Sequence, residues 1–312
     1  MKIMITGAHG LLGQKLALIA AQESDAELLL TDLAPTTFFR NPRFDYQQLD
    51  ITARGDVKSM VSQFRPDIII NTAAMTDVDG CESDRVAASR LNVDGLKNLM
   101  IPARRLEGCH IVQISTDYVF DGRTPPYSET SRPNPLSYYG KTKLAAENAL
   151  VQSGASAAIV RTQVLYGTGY KVRQNFVAWV LSMLEAGKPF RVVDDQTGNP
   201  TYVDDLAYAV LRIAERRARG IYHVSGSEII DRFTFARHIA TEYAFDPALI
   251  APVSSQEIGQ AANRPMNSGF VTLKFESEYG FRLSDTREGL RRLHAQHLEG
   301  SRHLDVLDQF DI

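Results

Sequence analysis

The first half of the chain alternates short, continuous apolar runs with stretches in which apolar residues recur every three or four positions. KIMIT, ELLLTD, DIIINTAA, HIVQIST and AAIVRT are rich in branched residues and lack polar alternation, which predicts strands buried on both faces. Between them the spacing predicts helices over Leu11–Gln22, Ala53–Phe64, Asp84–Leu106 and Ser137–Gln152. Strict alternation of strand and helix predicts an α/β fold built on a doubly wound parallel sheet. After about Tyr166 the rhythm loosens. NFVAWVLSMLEAGKP reads as a helix stopped by Gly187 and Pro189, FRVVDDQTGNPTYVDDLAYAVLRIAERR as a strand, a turn and a helix, and FTFARHIATEYAF as another amphipathic helix. GIYHVSG, at 220–226, reads as a strand that could rejoin the main sheet. The expected organisation is a first domain over residues 1–165 and a smaller, interleaved C-terminal lobe over 166–312. Part of that lobe, 190–226, is expected to return to the first domain, with no clean linker. Beyond His297 the pattern is polar and weak, and leaves open an added helix or a loose tail.

Composition narrows the classes. The chain has 312 residues, 44% of them hydrophobic, and a formal net charge of -3 with the two signs mixed along its length. That balance argues against a dedicated nucleic-acid or anionic-membrane binder. The opening MKIMIT is too short and too early for a signal peptide, and no run approaches the roughly 20 apolar residues of a membrane span. A cytoplasmic protein is expected. Cys81 and Cys109 lack metal-ligand spacing and read as free, partly buried thiols. His294, His297 and His303 have no cysteine beside them and read as solvated helix positions, so no metal site is expected.

ITGAHGLLG sets Gly7, Gly10 and Gly13 between the first strand and the first helix. There the amides of a helix start can cradle a pyrophosphate: Gly7 permits the tight turn, Gly10 admits the phosphates, and Gly13 lets helix and strand pack closely. The second strand ends in Asp32, nineteen residues after Gly13, where a carboxylate accepts hydrogen bonds from an adenosine ribose. A carboxylate there repels a 2′-phosphate, and Leu33, Ala34 and Pro35 follow it, so NAD is favoured slightly over NADP. Arg40 and Arg43 stand in a loop that could fold back.

The fourth predicted sheet strand ends in Ser115 and Thr116, at the carboxyl edge where open α/β sheets bind ligands. Some twenty residues on, YYGKTK opens a helix. Tyr139 and Lys143 are four apart and share a helix face, whereas Tyr138 is paired that way only with Thr142. An ammonium beside a phenol lowers its pKa from about 10, so Tyr139 is expected to exchange a proton with substrate while Thr116 holds the reacting oxygen.

TGAHGLLG, NTAAMTDVDGCE, LNVDG, STDYVFDG, PYSETSRPNPLSYYGKTKLAAE, DDQTGNPTYVDDLA, GIYHVSG and RPMNS together resemble the extended short-chain dehydrogenase/reductase family, within it the dTDP-4-dehydrorhamnose reductases. The resemblance implies a Rossmann fold, NAD(P)H-dependent reduction of the 4-keto group of a nucleotide-linked 6-deoxy sugar, and a homodimer. It puts the proton-transfer machinery on Thr116, Tyr139 and Lys143. Along the dinucleotide it places His9, Leu11, Leu12, Asp50, Ile51, Ala73, Ala74 and Thr76, besides the glycines, Asp32, Tyr139 and Lys143. Near the sugar nucleotide it places Thr76, Val78, Thr116, Val164, Asn175 and Gln196, with Arg264 a candidate for the diphosphate. Where such reductases commonly carry a tryptophan, RTQVLYG has Val164, and the segment is also similar to that of the methionine adenosyltransferase β subunit. A 4,6-dehydratase would need a glutamate where Tyr118 stands. A sugar-nucleotide 4-epimerase and a non-catalytic regulatory subunit remain as alternatives.

Overall fold

In the computed structural model, which describes residues 1–259 and 261–308 and side chains to Glu299, the five apolar runs become strands. They are β1 (Lys2–Thr6), β2 (Glu27–Asp32), β4 (Ile68–Asn71), β5 (His110–Thr116) and β6 (Ala157–Thr162), joined by β3 (Phe44–Gln48). The short lobe strands β7 (Leu165–Tyr166), β8 (Phe190–Val193), β9 (Thr197–Gly198) and β10 (Thr201–Tyr202) precede β11 (Gly220–His223). The sheet runs β11-β6-β5-β4-β1-β2-β3, with every pairing parallel. This is the doubly wound sheet expected, and its order reverses between β1 and β4, where such sheets open a ligand crevice. β3 was not foreseen from the sequence: FDYQQ is largely polar, and an edge strand needs no continuous apolar run.

Helices cover both faces. α1 (Leu11–Glu23) packs on the β1 side, and α2 (Arg54–Phe64) lies on the other face. The helix expected over Asp84–Leu106 is present as helical backbone from Arg85 to Ala103, with a π turn inserted in it. After α3 (Val78–Ser83) come α4 (Arg85–Ser89), a π turn at Arg90–Asp94, and α5 (Gly95–Ala103). α6 (Tyr138–Gln152) follows β5, α7 (Phe176–Glu185) opens the lobe, and α8 (Val203–Glu215) returns to the main sheet, where Leu206, Val210 and Ile213 pack with Leu16 and Val160. A separate core joins α7, β8, α9 (Arg232–Glu242) and the C-terminal helix over Thr286–Asp308 through Val180, Phe190, Phe235, Ile239 and Leu290. That helix answers the open question about the region after His297; residues 309–312 lie outside the described residues.

Candidate active site

The glycine turn has the shape its sequence implies. Gly7 takes φ +71°, and a Cβ there would come within 2.8 Å or less of the Ala73 backbone. Gly13 sits where a Cβ would strike the Gly7 carbonyl at 2.3 Å, so α1 can lie close to β1 only with glycine at that point. At Gly10 an added Cβ would meet the Gly7 oxygen alone within 4 Å, at 3.2 Å. Gly10 is also the N-cap of α1 and supplies no capping side chain, so the first amides of the helix, at Leu11 and Leu12, face that open side. The turn therefore fits a dinucleotide pyrophosphate. Thr6, Asn71 and Gln113 form a buried hydrogen-bonded row beneath it across β1, β4 and β5.

Asp32 closes the far end of the crevice. Its carboxylate accepts the His9 amide at 2.9 Å and its neighbour Leu33 amide at 2.7 Å. The His9 ring stacks on Tyr46, 5.1 Å between centroids, and leans on Phe38. Burial pushes the Tyr46 phenol up to about 12. Arg43 points away, donating to the Ala21 and Ser24 carbonyls at the end of α1. Asp50 accepts the Thr52 amide at 2.8 Å, and Ile51 is buried against Gly95 of α5.

At the end of β5, Thr116 and Tyr139 meet. The Thr116 hydroxyl lies close to the phenol, and it donates to Asp117 Oδ1 at 3.0 Å. Close packing makes this contact: α6 rides on the turn after β5 so tightly that a Cβ on Gly140 would lie 2.1 Å from the Tyr118 carbonyl oxygen. Ser137 caps α6 through the Gly140 amide, and Glu82 accepts the Tyr138 amide at 2.6 Å. Tyr138 lies outward under the Arg85 guanidinium, while Tyr139 is buried and edge-on to Tyr118 at 5.6 Å. Lys143 is buried too and donates to the Ile114 carbonyl at 2.7 Å. The phenol departs from expectation. Burial pushes Tyr139 up, not down, and it pushes Lys143 down to about 8, because each loses water when its charged form is enclosed.

Distant motifs are tied around this centre. Asp117, raised by burial, accepts from Ser268 of RPMNS at 2.6 Å. Gln163 donates to the Ser268 carbonyl at 2.6 Å and accepts the Asn199 amide at 2.7 Å. Asn92, in the π turn, binds both backbone groups of Met75 and the Thr142 hydroxyl. None of Asn92, Gln163, Asn199 or Ser268 was singled out from the sequence, although all lie within or beside the quoted motifs; their partners are too far along the chain for any spacing rule.

The residues assigned to the sugar nucleotide are placed unevenly. Val78 packs with Tyr139, Tyr118 and Cys81. Thr76 is exposed in the loop after β4. Arg264 is committed to Asp79 in a bidentate pair, 2.7 and 3.2 Å, and its guanidinium also reaches Tyr118. Asn175 caps α7 and donates to the Gly167 carbonyl at 2.8 Å. The Gln196 carbonyl accepts the amide of Arg232, whose guanidinium lies over Phe176 and is drawn toward Tyr118 and Asp117. Val164 is half-buried, its carbonyl bonded to Thr201. His294 approaches Glu242, and His297 bonds the Tyr243 hydroxyl; the His303 side chain lies outside the described residues.

Comparison with known proteins adds to this geometry. Residues 1–298 match the family described as RmlD substrate binding domain. A dTDP-4-dehydrorhamnose reductase of Sinorhizobium fredii is 35% identical over 304 residues, covering 94% of this chain and 96% of that one. The methionine adenosyltransferase 2 subunit beta of Xenopus tropicalis is 34% identical over 281 residues, 88% of this chain and 81% of that one. The crystal structure of a dTDP-4-dehydrorhamnose reductase from Bacillus anthracis in complex with NADP superposes with a TM-score of 0.81 at 33% identity, over 95% and 99% of the two chains.

Proposed function

The chain belongs to the RmlD substrate-binding family, and from that premise we propose that it is an NAD(P)H-dependent reductase of a nucleotide-activated 4-keto-6-deoxy sugar, converting dTDP-4-dehydro-L-rhamnose to dTDP-L-rhamnose. The supporting observation is the meeting of Thr116 and Tyr139 at the carboxyl end of β5, above Lys143. The glycine turn and Asp32 would hold a nicotinamide dinucleotide, which in its reduced form would supply hydride for the carbonyl carbon. Tyr139, which burial keeps protonated at neutral pH, gives its phenolic proton to the oxygen that becomes an alkoxide. Thr116, turning its single hydroxyl proton from Asp117, donates a second hydrogen bond to that oxygen, and Lys143 stabilises the phenolate left behind. Arg232 and Arg264 stand near Tyr118 and offer positive charge to a diphosphate, Arg264 by sharing its bond to Asp79. Val78, Thr76, Asn175 and Gln196 border the sugar, and Val164 leaves more room there than a tryptophan would.

Cofactor preference is read as NADH over NADPH. Asp32 would face a 2′-phosphate, and Arg43, bound to the end of α1, is turned from it. We also read the protein as a cytoplasmic homodimer pairing through α4, α5 and α6; a monomeric mass by light scattering would overturn that part.

The test is loss of reduced-nicotinamide absorbance with enzymatically prepared dTDP-4-dehydro-L-rhamnose, using NADH and NADPH in turn. Wild type should oxidise both, NADH at the lower concentration, while Tyr139→Phe should bind cofactor and turn over nothing. Full activity in that variant sinks the assignment. Cofactor binding by wild type without turnover would favour a regulatory subunit, the reading supported by the likeness to the Xenopus protein.

A further inference from the structure

Tyr139, Lys143 and Glu147 follow one another at intervals of four along α6 and so share one face of the helix. All three are buried. Glu147 belongs to no step described above, yet its surroundings are fully built. Arg161 of β6 donates to it twice, from Nε at 2.9 Å and from Nη2 at 2.6 Å. The side chains of this ion pair are 1% and 3% exposed. Ser115, the residue before Thr116, donates its hydroxyl proton to the same carboxylate. The remaining Arg161 nitrogen faces His223 Nε2 at 3.4 Å, and the guanidinium lies over the Phe120 ring. Burial holds His223 down to about 3, so that ring is neutral and adds no second positive charge.

Stability does not account for such an arrangement. Enclosing two charges costs more than well-packed apolar side chains of the same volume, and replacing a buried pair by such residues is often neutral or stabilising. An ion pair retained directly behind an active-site lysine calls for another role. We propose that Glu147 is a positioning residue: clamped by Arg161 and Ser115, its carboxylate holds Lys143 as an ammonium behind Tyr139 and steadies the strand end that aims Thr116. The proposal rests on the reductase reading for its catalytic consequence, though not for its electrostatics.

The groups that bear on Lys143 are few. Its burial pushes it down; Glu147 from its own helix opposes that most, and Cys81 from α3 next. Burial raises the Cys81 thiol to about 11, which leaves it neutral. From β5 the lysine meets the uncharged Ile114 carbonyl, and from the π turn the uncharged Asn92 stands on Thr142. Asp117 and Tyr118, after β5, bear on Tyr139. Arg161 reaches the lysine's surroundings only across Glu147.

The experiment titrates Lys143 directly, by NMR of 13Cε-labelled lysine in the protein without added dinucleotide, the resonance being assigned by its loss in Lys143→Met. Glu147→Gln should lower the lysine midpoint by about one pH unit or more. In turnover assays the alkaline limb of kcat should move down with it. Because Glu147→Gln leaves Arg161 unpaired, a second protein, Glu147→Leu with Arg161→Met, removes both charges at similar volume. It should fold by circular dichroism and shift the midpoint in the same direction, by less. An unchanged midpoint in a folded variant overturns the proposal. So does failure of both variants to fold, which would make the pair structural. A shifted midpoint in Glu147→Gln, together with a wild type that reduces no keto sugar, would instead count against the reductase reading alone.

Discussion

Tyr139 turns its ring toward Tyr118 and its hydroxyl toward Thr116, while Tyr138, one position earlier, lies beneath Arg85. The Y-x-x-x-K spacing puts Tyr139, not Tyr138, on the helix face of Lys143, because four residues bring two side chains to one face. The residue that holds the choice in place is Gly140. A methyl group there would overlap the Tyr118 carbonyl, 2.1 Å away on rigid backbone. Gly140→Ala should therefore push α6 outward, at a cost of about 1–3 kcal/mol in urea unfolding. Its effect on kcat should be on the order of 100-fold, since the displacement parts Tyr139 from Thr116. Unchanged turnover in a destabilised Gly140→Ala protein would show that α6 does not position the phenol.

At the scale of elements, the π turn at Arg90–Asp94 decides how the loop after β4 is held. Asn92 receives the Met75 amide at 2.8 Å and donates to the Met75 carbonyl at 3.1 Å and to Thr142 at 3.0 Å, joining that loop to α6. Apolar periodicity across Asp84–Leu106 reads as one helix, and the backbone stays helical from Arg85 to Ala103 through the π turn. What periodicity does not register is the π turn inside that helix, whose Asn92 bonds a residue seventeen positions away. Asn92→Leu keeps the volume and strips three hydrogen bonds, two of them to backbone. It should cost about 2–4 kcal/mol, since each polar group left enclosed costs about 1–3 kcal/mol. A change below 0.5 kcal/mol, within the range of an ordinary surface substitution, would show that the loop is held by something else. The edge strand β3 was missed for a related reason: it is defined by pairing with β2, not by its own composition.

Across the whole molecule, two buried imidazoles link stability to pH. Burial, with Arg217 and Arg219 adding to it, pushes His110 from 6.5 down to about 4; burial and Arg161 push His223 down to about 3. A folded pKa below the unfolded one means that the unfolded chain binds more protons below pH 6.5. The stability these residues contribute is present above that pH and is lost as the pH falls toward the folded values. Asp117, raised by burial, acts in the opposite direction, so single variants isolate each term. Between pH 7 and 5, wild type should lose about 2 kcal/mol more unfolding free energy than His110→Gln. Parallel urea titrations of the two proteins would reveal a constant gap if His110 were protonated in the fold.

The sequence by itself determined the layers, the glycine turn and the placing of Tyr139 and Lys143 on one helix face. Buried strands, a glycine turn and an i,i+4 pair are each written in neighbouring residues, where local sterics and periodicity act. Tertiary structure alone decided what surrounds them. Asp117 with Ser268, Gln163 with Asn199, Arg264 with Asp79 and Glu147 with Arg161 are joined across separations that no local signal spans. It also decided the direction in which Tyr139 shifts. A neighbouring lysine, visible in the sequence, argued for a lowered phenol; the loss of water around both groups, which exists only once α6 is packed against β5, raises it.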